Sequence, residues 1–294
     1  MADNMIKAVS TDGKFRVYVV NAKNTVSEAQ RRHDTWSNST AALGRTMIGS
    51  ILVATSTLKQ DELITTRLIG NGPAGAVIVD ANAYGNVRGY IQNPHVSLPL
   101  NDNQHIDVRG AVGDSGTLSI TKDLHLKEPF TGQVPIVSGE VGDDFAYYMA
   151  KSEQIPSAVG VSVFVQPNET VGAAGGFLIQ TLPDATDEDI EHIEKNLSEM
   201  THISRLFNEG LTNEQILEKL MNGIEMKVLE TIPVKFVCDC SKEKFAKSLA
   251  TLSDDEIQAM IDEDGGAEAV CHFCSEKYQF SKEDLENILQ EKNS

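Results

Sequence analysis

Cysteine is absent from the first 237 residues of this 294-residue chain, and its four cysteines all lie between positions 238 and 274. Long apolar runs are also missing, so no segment reaches the roughly 20 apolar residues that a membrane-spanning helix needs. No basic segment followed by an apolar core opens the chain, so no export signal is visible. We therefore expect a cytoplasmic protein without membrane contacts, a setting in which stable structural disulfides are rare.

Basic residues are scarce as well, because 25 lysines and arginines face 43 acids, for a formal net charge of −18. Residues 179–230 hold 12 acids and 4 bases, and residues 231–294 hold 14 acids and 7 bases. Such a surface is repelled by nucleic acids and anionic lipids, since phosphate binding depends on Lys and Arg. Two interpretations stay open: an ordinary soluble surface, or one that keeps the protein in solution while it exposes apolar surface.

Up to about residue 180, runs rich in β-branched residues are separated by glycine-containing turns, which predicts a series of strands. The predicted strands cover residues 15–20, 75–79, 134–137, 161–165 and 177–180. Helices are predicted at residues 40–58 and 143–153, and the first is apolar over much of its circumference, as is typical of a core helix. Strands mixed irregularly with helices predict an α+β fold whose N-terminal core domain, residues 1–180, is mixed α/β.

The pattern changes after residue 180 to short amphipathic helices with acidic outer faces. Thr186 and Thr212 each begin a capping motif that precedes apolar residues at helical spacing. Isolated helices of this length are marginal in water, so they must dock on something to persist. The segment 181–230 is therefore predicted to be a helical linker, and the pattern leaves open whether it is mobile or permanently packed.

The last predicted domain, residues 231–294, is small and contains all the cysteine. A short hairpin is predicted from residues 267–270 and 277–280, which flank the second pair of cysteines. Helix starts are predicted at Ser241, Ser253 and Ser281.

The cysteines form a C-x-C pair, Cys238 and Cys240, and a C-x-x-C pair, Cys271 and Cys274. Two close pairs separated by a longer segment are typical of a tetrahedral zinc site with four thiolate ligands. We therefore predict that these four cysteines bind one structural Zn²⁺ per chain. His272 lies between two of them and is predicted not to be a ligand, because four thiolates already complete the shell.

The predicted zinc ion is expected to dominate the stability of its domain. A module of about 60 residues has too little core to be robust alone. Zinc bound by thiolates can supply on the order of 10–16 kcal/mol of folding free energy. That equals or exceeds the net stability of an ordinary domain, about 5–15 kcal/mol. Loss of the metal should therefore unfold the module.

Two other functions use similar cysteine patterns. A nucleic-acid-binding zinc module needs a basic surface, whereas residues 231–294 are acidic. A thiol–disulfide oxidoreductase needs a C-x-x-C pair that opens a helix after a strand, because that setting lowers the pKa of the first thiol. The predicted hairpin around Cys271 and Cys274 does not provide it.

The cysteine pattern resembles that of a known family, the redox-regulated heat-shock chaperones of the thirty-three-kilodalton class. The resemblance rests on a C-x-C pair followed after thirty residues by a C-x-x-C pair near the C-terminus. It extends to Arg32 and His33, to residues 41–45 (AALGR) and to residues 175–180 (GGFLIQ), and so covers nearly the whole chain. We assign no chemistry to these additional motifs.

This resemblance implies a non-enzymatic, ATP-independent holdase that is inactive when reduced and zinc-bound. Oxidation by peroxide or hypochlorite, together with unfolding stress, would form the Cys238–Cys240 and Cys271–Cys274 disulfides and release the zinc. The module and the linker would then unfold and expose apolar surface that binds unfolding client proteins. Active forms in the family are commonly homodimers. The same four cysteines would thus be both metal ligands and redox-active thiols.

Overall fold

The computed structural model describes residues 2–59, 61–200 and 203–292. The chain forms two compact units, Met1–Val237 and Cys238–Ser294. The second unit thus begins at the first cysteine, whereas the last predicted domain begins at residue 231. The three-part division into core, linker and switch domain stays a prediction. No helix in the described ranges is both long enough and apolar enough to cross a membrane.

Both units combine helices and strands. The strands of the first unit are β1 (Asn4–Ser10), β2 (Phe15–Asn21), β3 (Leu63–Gly70), β4 (Ala76–Asn82), β5 (Asn86–Ile91), β6 (Gly116–Asp123), β7 (Phe130–Pro135), β8 (Ser157–Val165), β9 (Val171–Thr181), β10 (Met226–Pro233) and β11 (Lys235–Phe236). Its helices are α1 (Lys23–His33), α2 (Ser37–Thr57), α3 (Val108–Val112), α4 (Gly142–Lys151), α5 (Asp187–Ser198), α6 (Ile203–Asn208) and α7 (Asn213–Leu220). The second unit contains α8 (Lys242–Leu249), α9 (Asp254–Ala259), a π-helical turn at Met260–Asp264, β12 (Gly266–Val270), β13 (Lys277–Ser281) and α10 (Lys282–Lys292).

Two sheets and one long helix build the main core of the first unit. A five-stranded antiparallel sheet has the order β10-β1-β2-β9-β8, and a six-stranded sheet has the order β11-β5-β4-β3-β6-β7. Helix α2 contacts strands of both sheets. It is buried along almost its entire length, as its apolar circumference predicted. The α+β prediction is therefore confirmed, with α2 between the sheets as the centre of the core.

A second apolar cluster lies on the other face of the five-stranded sheet, where helices α5, α6 and α7 cover strands β1, β2 and β9. Thr186 and Thr212 cap α5 and α7 as predicted, each accepting a hydrogen bond from a backbone N–H of the first turn. The helices of segment 181–230 are thus packed on the sheet. Strand β2 is buried on both faces, which explains its nearly continuous apolar run.

The glycines of β9 allow this layer to approach closely. A Cβ atom on Gly175 would lie 2.2 Å from Cε2 of Phe207 and 2.5 Å from the Val20 carbonyl oxygen. The ring of Phe207 on α6 therefore occupies the position that a side chain on β9 would fill. The 175–180 motif, to which the sequence assigned no chemistry, has a packing role here.

The segment predicted as a helical linker ends in a strand. Residues Met226–Pro233 form β10, which pairs antiparallel with β1 at the edge of the five-stranded sheet. The chain then passes to the other sheet, where the two-residue strand β11 pairs in parallel with β5. Most β10 side chains are exposed, so its sequence carries little of the apolar alternation that identifies a strand.

The second unit has a small core. Within residues 238–292, its buried apolar side chains other than cysteine are Ile257, Ile261, Phe280, Leu285 and Ile288. The predicted hairpin is present as β12 and β13, which pair antiparallel. Helices α8 and α9 begin after the predicted caps Ser241 and Ser253, and α10 begins after Ser281, which bonds reciprocally with Asp284.

One buried carboxylate organises the loop that connects β7 to α4. Asp144 is fully buried, and its two oxygens accept hydrogen bonds from the backbone N–H groups of Val137, Ser138 and Val141 at 2.7, 3.0 and 3.0 Å. Val141 has φ 72°, a left-handed conformation that a β-branched residue rarely adopts. Arg45 of the 41–45 motif binds Glu140 beside it at 2.6 Å. These contacts join α2 to the loop.

We expect Asp144→Asn to lower the free energy of unfolding of the first unit by about 1–3 kcal/mol, because the amide nitrogen cannot accept the bonds that one carboxylate oxygen accepts. Denaturant unfolding followed by the fluorescence of Trp36, the single tryptophan, measures this. The control is Asp143→Asn, an exposed acid on the same turn that should change stability by less than about 0.5 kcal/mol. Equal effects of the two variants would contradict the role given to Asp144.

Candidate metal centre

Two short segments of the second unit carry the four cysteines. Cys238 and Cys240 lie in the extended stretch before α8, and Cys271 and Cys274 lie in the turn between β12 and β13. The hairpin turn is held by its own backbone, because Cys271 donates to the Glu276 carbonyl at 2.9 Å and Ser275 donates to the Cys271 carbonyl at 2.7 Å. Both cysteines of the second pair are buried.

The structure brings all four predicted residues together. Sγ of Cys238 lies 3.7 Å from Sγ of Cys271, and Sγ of Cys240 lies 3.3 Å from Sγ of Cys274. All four sulfur atoms lie within 4.8 Å of one another. Neither close pair is a disulfide, because an S–S bond is about 2.05 Å long.

This arrangement fits a tetrahedral metal site. With Zn–S bonds of about 2.3 Å, the sulfurs of a tetrahedron lie roughly 3.8 Å apart. The observed separations of 3.3 and 3.7 Å are close to that edge. Cys271 and Cys274 are 6% and 3% exposed and the other two cysteines are half-buried, so the cluster is largely shielded from solvent. Soft thiolate ligands in this geometry suit zinc.

His272 is not part of the cluster. Among the residues that the structure describes, the metal-ligating group at this position consists of the four cysteines. Cys271 and Cys274 lie between two strands and not at the beginning of a helix, so they lack the setting that a thiol–disulfide oxidoreductase needs.

The four thiols are electrostatically unequal. Burial raises the pKa of Cys271, and it raises the pKa of Cys274 far above its ordinary value. Burial also opposes ionisation of Cys240, but hydrogen bonds from Tyr278 and from the neighbouring cysteines lower the pKa of Cys240 overall. Protons and a metal ion therefore compete for the buried sulfurs, and metal binding must displace protons from the hairpin pair.

Tyr278 is a site residue that the sequence did not indicate. Its hydroxyl lies 3.1 Å from the Cys240 carbonyl oxygen and 3.2 Å from Sγ of the same residue. The hydrogen bond to Cys240, and then burial, raise the pKa of Tyr278, so the hydroxyl keeps its proton and can donate. The only signal in the sequence is a tyrosine four residues after the last cysteine, a spacing that alone predicts no contact.

Known proteins are similar to this chain in sequence, and a solved structure is similar to it in fold. The family model described as Hsp33 protein matches residues 3–281. A protein of Levilactobacillus brevis named 33 kDa chaperonin is 58% identical over 291 residues, which cover 99% of each chain. One of Enterococcus faecalis with the same name is 56% identical and covers 99% of this chain and 97% of its own. A crystal structure of the 33 kDa chaperonin from Thermotoga maritima superposes with a TM-score of 0.92 at 39% identity, covering 100% of this chain and 99% of that one.

We expect Cys274→Ser to abolish tight binding of a thiophilic divalent metal, because a serine hydroxyl is a poor substitute for a buried thiolate. Titration of the reduced protein with Co²⁺, which reports thiolate ligation by its absorption spectrum, measures this. The matched control is His272→Gln, two positions away in the same turn, which should bind as the wild type does. Loss of binding in the control would instead make His272 a ligand.

Proposed function

Because this chain belongs to the Hsp33 protein family of chaperones, we propose that it is a redox-regulated holdase that works without ATP. In the reduced state, Cys238, Cys240, Cys271 and Cys274 hold one Zn²⁺ and the protein does not bind clients. Oxidation of the four thiols switches it on. The active form then prevents the aggregation of unfolding or oxidatively damaged proteins.

The observation that carries this proposal is the gathering of four sulfur atoms within 4.8 Å in a unit that has few other buried side chains. A metal held by four thiolates can supply on the order of 10–16 kcal/mol of folding free energy to a small module. When bound, zinc would join the extended stretch that carries Cys238 and Cys240, here called the C-x-C arm, to the hairpin. It would also neutralise thiolate charge. The stability of the second unit would thus depend on the oxidation state of its cysteines.

Oxidation removes the ligands in pairs. Cys238 and Cys240 form one disulfide, and Cys271 and Cys274 form the other. Formation of each disulfide removes two electrons and two protons from a pair of thiols. Hydrogen peroxide accepts those electrons and, with two protons per molecule, becomes two molecules of water. Neutral disulfide sulfurs no longer hold the metal at thiolate strength, and the S–S length of about 2.05 Å is incompatible with the spacing of a tetrahedron.

Client binding is proposed to use the sheet face that helices α5 to α7 cover. The larger side chains that this face contributes to an apolar cluster are Ile6, Phe15, Val17, Val19 and Ile179, and helices α5 to α7 supply further members. Release of segment 181–230 would expose these side chains for unfolding proteins to bind. The acidic helices would stay in solution because residues 179–230 hold 12 acids and only 4 bases.

The three predicted domains then take separate roles. Residues 1–180 are the chaperone core, residues 181–230 the releasable linker and residues 231–294 the zinc-dependent switch. We propose a cytoplasmic location, a homodimer as the active form, and no enzymatic activity, nucleic-acid binding or membrane binding. Turnover in an insulin-disulfide reduction assay would contradict the proposed lack of enzymatic activity. Binding of the reduced protein to DNA or RNA at physiological salt would contradict the proposed lack of nucleic-acid binding.

We expect peroxide treatment of the reduced protein to release one zinc ion per chain, to lower helicity and to start suppression of client aggregation. Zinc content, circular dichroism and light scattering of a heat-denatured client should be measured on the same sample before and after oxidation. A reductant added with zinc is expected to reverse all three changes. The switch is wrong if the oxidised protein keeps its zinc and fold, or if the reduced form protects clients equally well.

We expect Phe207→Ala to weaken docking of α6 by about 3 kcal/mol, because a buried ring that packs on β9 is lost. The reduced variant should then suppress client aggregation without oxidation while it still retains its zinc. The matched control is Phe164→Ala on β8, whose ring is 39% exposed and which should stay inactive until oxidised. If proteolysis shows a released linker in Phe207→Ala and the reduced variant remains inactive, clients do not bind under the linker.

A further inference from the structure

The hydroxyl of Tyr278 makes an unusual pair of contacts with one residue of the metal centre. It lies 3.1 Å from the carbonyl oxygen of Cys240 and 3.2 Å from the sulfur of the same residue. The carbonyl can only accept a hydrogen bond, and a thiolate sulfur is likewise an acceptor. The single hydroxyl proton is therefore shared between the main chain and the side chain of Cys240.

Packing and pairing hold the ring in place for these contacts. Tyr278 belongs to β13, where it pairs with Ala269 of β12. Phe245, on α8, lies against the ring with centroids 5.2 Å apart and planes inclined by 36°. The hydroxyl is thus presented by a residue whose position depends on the hairpin, while its acceptors belong to the C-x-C arm.

The Tyr278 contact restrains the C-x-C arm more than the hairpin. The hairpin turn is fixed by its own backbone hydrogen bonds from Cys271 and Ser275. Cys240 instead lies outside any strand, and only the capping residue Ser241 separates it from the first residue of α8. A donor bound to both the carbonyl oxygen and the sulfur of Cys240 limits rotation about the bonds between these two atoms. It therefore orients Sγ toward the other three cysteines.

We propose that Tyr278 is a positioning residue of the metal centre, whose hydroxyl orients Cys240 for metal binding. This inference rests on the proposed zinc-dependent function. Outer hydrogen bonds of this kind orient ligands and commonly change metal affinity by 10- to 100-fold when they are removed. A sulfur that is bound to a metal is also less available to peroxide, so weaker metal binding would leave the Cys240 sulfur more open to oxidation.

The test is Tyr278→Phe in the full-length chain, since this substitution keeps the ring against Phe245 and removes only the hydroxyl. We expect the reduced variant to bind Zn²⁺ about 10- to 100-fold more weakly in competition with a chromogenic chelator. In peroxide we expect Cys240 to lose reactivity toward an alkylating reagent several-fold faster than in the wild type, as followed by mass spectrometry of its peptide.

Two controls separate positioning from simple stability. Tyr84→Phe removes an exposed tyrosine hydroxyl in the first unit and should leave both measurements unchanged. Phe245→Leu keeps the Tyr278 hydroxyl but reduces the packing on its ring, and should weaken zinc binding much less than Tyr278→Phe does.

The outcomes divide clearly. Unchanged zinc affinity and unchanged oxidation of Cys240 in Tyr278→Phe would overturn the proposal. An equally large loss of zinc affinity in Phe245→Leu would also overturn it, because reduced packing on the ring would then explain the effect without the hydroxyl. A wild-type chain that binds no zinc would refute the proposed function itself, and this is seen before any variant is compared.

Discussion

Crowding of four sulfur atoms within 4.8 Å limits the chemical states that the second unit can adopt. Four thiolates without a cation would repel one another, and burial of Cys271 and Cys274 further disfavours their charge. A bound divalent cation removes that repulsion and keeps all four sulfurs at ligand distance. Disulfide formation removes the charge as well, but it pulls sulfurs together in pairs and so destroys the shared geometry. Each chemical state of the cysteines therefore requires a different arrangement of the arm and the hairpin.

The consequences differ between the two units because their cores differ in size. The first unit has one large apolar cluster around α2 and a second one under helices α5 to α7, neither of which contains cysteine. Among residues 238–292 of the second unit, the buried apolar cluster is small, and the buried Cys271 and Cys274 belong to the candidate metal site and not to that cluster. An oxidant that reacts with thiols thus acts on the unit with the smaller apolar core. Burial in that core could not make up for the folding free energy that a lost metal would have supplied. The same chemistry leaves the main core of the protein untouched.

Local signals in the sequence predicted much of this structure, and long-range contacts account for the rest. The caps Thr186, Thr212 and Ser253 were correct because a capping box depends on residues three positions apart. Strand β10 was assigned to the end of a helical linker because most of its side chains are exposed, so pairing with β1 and not burial defines it. The contact between Tyr278 and Cys240 joins residues 38 positions apart, and no spacing rule anticipates it. The spacing of the four cysteines was enough to predict that they form one site, because two close pairs of thiols in one small unit are typical of a four-thiolate metal site.

Packing of segment 181–230 has a further consequence for how a switch in the second unit would be coupled to client binding. The turn between β1 and β2 contacts both ends of this segment: Lys14 binds Asp189 at 2.8 Å, and the Thr11 N–H donates to the Glu225 carbonyl at 2.9 Å. Between these ends the helices bury their own apolar side chains on the sheet. All of these contacts lie within the first unit, so unfolding of the second unit removes none of them directly. Under the proposed function, exposure of the sheet after oxidation is therefore expected to increase when heat or another unfolding stress also destabilises the first unit. A chaperone built in this way would respond to oxidation most strongly when other proteins are unfolding too.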